Sequence, residues 1–481
     1  MRIARYAVRS VVFIAVAPVL AVAQSGRGPA TPDTSTHGRV DAIFATWDHT
    51  DSPGCALGVY RDGRVEYARG YGMANLELGV ALSPQSVFDI GSTSKQFTAM
   101  SIMLLARDGK LSLDDDIRKY VPELPNYGKT ISIRHILTHT SGIRDYLTLW
   151  ALAGVDDADL TTDQDALDLL SRQRELNFAP GEQWLYSNSG FFLASLIVKR
   201  VSGQTLAQFA SDRIFRPLGM THTRFNDDHK SVIPNRATGY APRDSGSGWA
   251  TEMSNFEQTG DGAVQTTIED MQRWDENFYT GAVGGTETLA AMQKVAVLNS
   301  GKPQTYALGL MVDKYRGLRS VSHGGSWAGY RAELLRFPDQ HLSVACLCNL
   351  ARTNPSRLAR SVAEIYLGDR MTPAPEATVA GTPRNSGEVA ATHWTPNAKS
   401  LAGYTGRYDS PELQTSYDFT VDNGKLTLHR RRSGPVALTP TVDDSFTAEG
   451  ITYRFIREKG RVAGFLVEAG RTKNLRFEVS R

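Results

Sequence analysis

A serine and a lysine stand three residues apart in Gly91-Ser92-Thr93-Ser94-Lys95, where a turn enters a long apolar stretch. On a helix this spacing puts both side chains on one face, one turn apart and within mutual reach. A serine hydroxyl is a poor nucleophile until a neighbour takes its proton. Lysine can take it once burial disfavours the ammonium form, and the head of an apolar helix offers that burial. The same helix end supplies backbone N–H groups and partial positive charge for an oxyanion. About one Ser-x-x-Lys pair is expected by chance in a chain of this length, so the pair alone decides little.

Two other stretches add weight. Tyr186-Ser187-Asn188 follows Pro180-Gly181-Glu182 and directly precedes a second apolar stretch. A phenol has a pKa of about 10 in isolation, and a neighbouring ammonium would lower it, making Tyr186 a candidate proton relay. Asn188 is a candidate to hydrogen-bond a substrate amide. As purely structural residues, the three would form a helix-capping turn with a packed tyrosine. His323-Gly324-Gly325 closes an expected edge strand, where two residues without side chains would let a substrate backbone lie flat. Ser326 then offers an N–H as a second oxyanion donor; a glycine bulge is the structural alternative.

The elements that must position these groups are legible from periodicity. Residues 54–60 and 64–72 read as strands joined by a hairpin at Arg61-Asp62-Gly63. Residues 94–108 and 190–201 read as helices buried on most faces, the first ended by Gly109. Between residues 306 and 350 the period switches to two. Residues 320–323, 329–337 and 342–349 read as antiparallel strands, the last two joined at Pro338-Asp339-Gln340. Early strands, a helical middle and late strands imply an α+β domain over residues 38–370. Its chain ends meet in one antiparallel sheet flanked by helices, beside an all-α region. Residues 371–399, with Pro373, Pro375, Pro383 and Pro396, read as a linker. Residues 400–481 carry short alternating segments separated by turns such as Asp422-Asn423-Gly424, the pattern of a small antiparallel β-barrel.

Lys+Arg 53 against Asp+Glu 51, without long runs of one sign, leaves no electrostatic footprint for nucleic acid or an anionic membrane. Residues 1–23 read as a signal peptide: Arg2, Arg5 and Arg9 precede an apolar run, and Ala21-Val22-Ala23 suits cleavage before Gln24. An uncleaved anchor is the alternative. A periplasmic or secreted protein without stable membrane insertion follows, with residues 24–37 as a flexible leader. Three cysteines in such a chain are not a disulfide framework. Cys346 and Cys348 are expected on one face of a strand, packed as apolar groups rather than bonded. His135 and His139 have zinc-compatible spacing, but Ile136 stands where a zincin needs Glu, so capping is the expected role and no metal is expected.

Ser92-x-x-Lys95, Tyr186-x-Asn188 and His323-x-Gly325 occur in the order found in the penicillin-recognising serine hydrolases, and the chain resembles that superfamily. Leu137-Thr138-His139-Thr140-Ser141-Gly142, Pro217-Leu218-Gly219-Met220 and Gly260-Asp261-Gly262 resemble hallmarks of its β-lactamase-related branch. The likeness covers about residues 40–367; the C-terminal segment resembles the lipocalin-like barrels appended to some members. The resemblance implies a β-lactamase/transpeptidase-like fold and no cofactor. It implies Ser92 as nucleophile, Lys95 as base or proton carrier, and Tyr186 as the partner that protonates the leaving group. It further implies an oxyanion hole from the Ser92 and Ser326 N–H groups, with Asn188, His323 and Gly325 along the substrate. Tyr146 and Trp150 are candidates to line the cleft. His-Gly-Gly replaces the Lys-Thr-Gly of most β-lactamases and DD-peptidases, and a mostly neutral histidine attracts a substrate carboxylate weakly. The expected activity is hydrolysis of a D-amino-acid-containing peptide or a small ester. A β-lactamase or DD-carboxypeptidase is the alternative, and an acylated receptor without turnover is the alternative of another class.

Overall fold

The computed structural model describes residues 34–244, 246–373 and 394–480. The expected signal peptide and most of the expected linker lie outside the described residues. Strands β1 (Cys55–Arg61), β2 (Arg64–Tyr71), β3 (Met311–Tyr315), β4 (Leu318–Trp327), β5 (Tyr330–Phe337) and β6 (Leu342–Cys348) form one antiparallel sheet. Its order is β3-β4-β5-β6-β1-β2, so the two ends of this part of the chain meet at the β6–β1 pair, with Val344 opposite Val59.

Strand β1 is apolar along nearly its whole length because both of its faces are covered. Leu57 and Val59 join Val40, Phe44, Val344, Leu358 and Val362 on one face, beneath helices α1 (Thr36–Phe44) and, at the far end, α6 (Pro355–Leu367). Ala56 and Tyr60 point the other way, into a larger core with Phe97, Ile268 and Trp274. That core is built by α2 (Lys95–Arg107), α3 (Tyr146–Ala153), α4 (Asn188–Ser202) and α5 (Ile268–Thr280). The expected α+β class holds.

Three local expectations need correction. Ser35 caps α1, accepting from the Gly38 N–H, so regular structure begins inside the stretch read as a leader. Strand β4 is longer than the segment 320–323, and β3 pairs with it only from Leu318 to Ser322. Residues 323–327 therefore keep a free edge, while the strand's first half is interior. The third concerns cysteine. Cys346 and Cys348 do face one side, but Cys348 is bonded to Cys55, its direct partner in the β6–β1 register. Antiparallel pairing across 293 residues brings the two sulfurs together, and nothing local announces it.

Strands β7 (Gly406–Ser410), β8 (Thr415–Asp422), β9 (Lys425–His429), β10 (Val436–Ala437), β11 (Thr439–Pro440), β12 (Ser445–Ala448), β13 (Ile451–Glu458), β14 (Arg461–Ala469) and β15 (Thr472–Val479) form a nearly closed barrel. Inward aromatic rings fill it: Phe465 stacks on Phe477 at 4.7 Å and meets Phe419 and Phe455 at 5.3 Å each. A short helix at Ala398–Ala402 begins inside the stretch read as linker.

The barrel is seated on the helical region. Arg144, just before α3, is buried and pairs with Glu412 of the barrel at 2.7 Å. Its other nitrogens donate to the Lys473 and Asn474 carbonyls at 3.1 and 2.9 Å. The Tyr417 hydroxyl donates to the Leu152 carbonyl at 2.7 Å.

Candidate active site

Ser92 lies in a single 3-10 turn, Gly91–Ser94, that leads into α2 at Lys95. Several bonds hold this turn. The Asp89 carboxylate accepts from the Gly91 N–H at 2.7 Å, and Gln265 donates to its other oxygen at 3.0 Å. Burial pushes Asp89 up to about 7. The Ser94 hydroxyl accepts from the Val264 N–H at 3.0 Å, and Thr93 donates to the His323 carbonyl at 3.1 Å.

The last bond ties the Ser92 turn to β4, and glycine makes the approach feasible. A Cβ on Gly325 would lie 1.9 Å from the Ile90 carbonyl oxygen. Gly91, at φ +48°, would place a Cβ 2.8 Å from the Ser326 nitrogen. Gly325 thus packs against the turn that carries Ser92, which is a different reason for glycine than room for a substrate backbone. Gly325→Ala is expected to force β4 off this turn, at about 1–3 kcal/mol of stability together with loss of hydrolysis. Thermal unfolding and turnover of the same preparation would measure both.

Lys95 is fully buried, and its Nζ has three close partners. They are Ser92 Oγ at 3.0 Å, Asn188 Oδ1 at 2.9 Å and the Asp261 carbonyl oxygen at 2.5 Å. Burial pulls Lys95 well below the ordinary lysine range, against the opposing influence of the Asp261 and Asp145 carboxylates. Two of the three partners can only accept. A neutral Lys95 therefore keeps its N–H bonds to Asn188 and Asp261 and turns its lone pair to the one partner able to donate, the Ser92 hydroxyl. The Lys95 amine is thus buried within hydrogen-bonding distance of the Ser92 hydroxyl.

Tyr186 sits beside this pair. Lys95 Nζ is 5.0 Å from the centre of its ring, and the His139 ring packs on it at 4.1 Å. The buried phenol hydroxyl makes no hydrogen bond of full geometry among the described residues, and the Ser92 hydroxyl is near enough to act on it as a hydrogen-bond partner. The expectation that a nearby ammonium lowers its pKa is overturned. Burial is the largest influence and pushes the phenol well above its ordinary value, while Ser92 and then Arg471 pull less strongly the other way. The phenol is held in its protonated form.

His323 is buried, and both ring nitrogens are engaged within the protein. Nδ1 lies 2.6 Å from the Gly324 carbonyl, which can only accept, so Nδ1 carries the proton. Nε2 then accepts from the Tyr306 hydroxyl at 2.9 Å. Burial and the nearby Lys95 lower His323 to about 3, leaving the ring neutral. Asn188 spends its carbonyl oxygen on Lys95, so its first duty is to hold that amine. Tyr146 lines the cleft and donates to Asp261 Oδ2 at 3.0 Å. Trp150 does not line it; the ring packs behind, between Tyr146 at 4.9 Å and Phe256 at 5.3 Å. His135 forms a capping box with Ser132, whereas His139 accepts from the Ser187 N–H and braces Tyr186.

Ser92, Tyr146, Tyr186, Asn188 and His323 line one cleft of about 750 Å³, and Lys95 is buried beside Ser92. Leu147, Phe256 and Trp327 make an apolar wall, and Ser92, Tyr186, Asn188 and Ser326 a polar one. Four contributors carried no assigned role in the sequence: Asp261, Asp145, Tyr306 and Arg471. Asp261 stood in the Gly260-Asp261-Gly262 motif, a usable signal. The other three are brought in by tertiary contacts alone.

A helix-headed serine and lysine between an antiparallel sheet and a helical region define the penicillin-binding-protein type of fold. A family model described as Beta-lactamase matches residues 40–367, and the chain belongs to that family. Penicillin-binding protein 4* of Bacillus subtilis is 32% identical over 302 residues, covering 60% of this chain and 66% of that protein. A D-aminopeptidase of Brucella anthropi is 28% identical over 320 residues, covering 66% of this chain and 60% of the relative. The chain thus spans less than two thirds of these relatives' length. The octameric penicillin-binding protein homologue from Pyrococcus abyssi superposes with a TM-score of 0.61 at 22% identity, over 92% of this chain and 98% of that one. No helix among the described residues is long and apolar enough to cross a membrane.

Proposed function

We propose that the protein is an exported serine hydrolase that cleaves an ester or amide through an acyl-enzyme on Ser92, with D-amino-acid amides or peptides and small esters as substrates. The observation that carries this reading is the buried Lys95, whose only proton-donating partner among the described residues is the Ser92 hydroxyl. Neutral Lys95 takes the Ser92 proton as Oγ attacks the carbonyl carbon. The N–H groups of Ser92 and Ser326 receive the oxyanion. Tyr186 gives its proton to the leaving amine or alkoxide and regains one from the Lys95 ammonium, so the acyl-enzyme forms with no net proton change. Water then enters and releases the acid.

Substrate class is supported by the D-aminopeptidase relative and by the neutral ring of His323, which offers no cation for a substrate carboxylate. The disulfide between Cys55 and Cys348 supports export, since such bonds persist in oxidising compartments. A panel of p-nitrophenyl esters, D- and L-amino-acid amides, D-Ala-D-Ala peptides and nitrocefin tests the reading. Turnover of the esters and D-amides, at least about tenfold above their L-counterparts and above nitrocefin, is expected. Nitrocefin as the best substrate, or acylation without turnover, would refute it.

A further inference from the structure

Residues Gly470-Arg471 form the exposed tip between β14 and β15, and the Arg471 backbone is nevertheless bonded to the hydrolase domain. The Arg471 carbonyl accepts from Asn177 Nδ2 at 2.9 Å and from the Asp145 N–H at 3.4 Å. Asn177 also accepts from the Lys473 N–H at 2.8 Å, and Arg144 donates to the Lys473 and Asn474 carbonyls. The backbone from Arg471 to Asn474 is thereby fixed to the hydrolase domain. The Arg471 side chain enters the cleft. Its guanidinium carbon lies 4.6 Å from the centre of the Tyr186 ring, and one nitrogen is 3.8 Å from Asp145 Oδ2.

We propose that the C-terminal barrel is a working part of the catalytic centre, in which Arg471 is a positioning residue that holds the Tyr186 ring and the Asp145 carboxylate in place for Ser92 and Lys95. This rests on the reading of Ser92, Lys95 and Tyr186 as the reacting groups. The contacts run in an unbroken line. Arg471 meets Asp145; Asp145 Oδ2 accepts from the Asn188 N–H at 2.6 Å; Asn188 Oδ1 accepts from Lys95 at 2.9 Å. Arg471 is partly exposed and lies over the partly buried Tyr186 ring, a modest cation–π contact at such a site, and Lys95 is the second cation near that ring.

Charge gives the arrangement a second consequence. The groups facing Lys95 are Asp261, Asp145 before α3, Tyr186, His139, His323 on β4 and Arg471 from the barrel. The carboxylates favour its ammonium form, and Arg471 opposes it. Arg471 also favours ionisation of Tyr186. Losing the guanidinium therefore raises the proton affinity of both groups, and the acid limb of kcat/KM moves to higher pH.

The test uses the full chain with Arg471→Gln and Arg471→Lys, an uncharged p-nitrophenyl ester, and kcat and KM measured across pH beside thermal unfolding. Arg471→Gln is expected to lower kcat about tenfold, with the acid limb displaced upward; Arg471→Lys is expected to keep the limb in place and regain part of the rate. Should the Gln variant fail to fold, Arg471→Met fills similar space without charge and carries the same expectation. A neutral variant with the wild-type limb overturns the proposal, whether its rate is normal or its loss lies wholly in KM. Failure of the underlying reading would look different: hydrolysis would survive Ser92→Ala.

Discussion

Lys95→Ala is expected to lower kcat/KM for an ester by about three to four orders of magnitude while the protein stays folded. The amine is wholly buried, and its removal deletes the one group placed to take the Ser92 proton. Lys95→Arg sharpens the case. A guanidinium keeps the positive charge and has donors for Asn188 and Asp261, but it cannot accept a proton in water-like conditions. If Lys95 served only as a cation, Arg would rescue; as a base, Arg is as inactive as Ala. The pH dependence has a defined sign. Neutral Lys95 is the active form, and burial lowers its pKa, so activity rises with pH along a limb well below the ordinary lysine range and falls as acid restores the ammonium. A stopped assay of the three proteins across pH would read all of this.

The second large effect is structural. Arg144 and Glu412 form an ion pair that is almost wholly shielded from solvent, at 0% and 4% side-chain exposure. Glu412 also accepts from the Arg174 N–H at 2.7 Å, so it stays in the interface when Arg144 is removed. Arg144→Ala leaves that carboxylate buried without its cation, which costs about 3–5 kcal/mol. The same substitution frees the carbonyls of Lys473 and Asn474, next to the tip that carries Arg471. Denaturant unfolding should therefore show the loss, and limited proteolysis should release the barrel. An Arg144→Met, Glu412→Leu pair is expected to recover much of the stability, because neither charge then remains buried.

Much of the architecture was written in local pattern. The alternation of residues 329–337 and 342–349 marked β5 and β6, because strands half-covered or wholly covered by helices keep a period of two or a continuous apolar run. Ser92 and Lys95 were legible because a helix converts a spacing of three into contact. Burial of the Lys95 amine followed from the apolar residues around it. What sequence spacing could not carry was the balance of influences once groups met. For Tyr186 the nearby charge was weighed and the stronger effect of desolvation was not. For His323, which lines the cleft, spacing gives no sign that Tyr306 and the Gly324 carbonyl occupy both ring nitrogens. Cys55 and Cys348, and likewise Arg471 and Tyr186, are joined only by long-range packing, and no periodic signal links them.

The most direct test of the Ser92–Lys95 assignment is covalent labelling with a fluorophosphonate, followed by intact-mass measurement and peptide mapping. Wild-type protein should gain a single adduct on the peptide carrying Ser92, Ser92→Ala should gain none, and Lys95→Ala should react far more slowly. Equal labelling of wild type and Ser92→Ala would contradict the assignment, because the reactive nucleophile would then lie elsewhere.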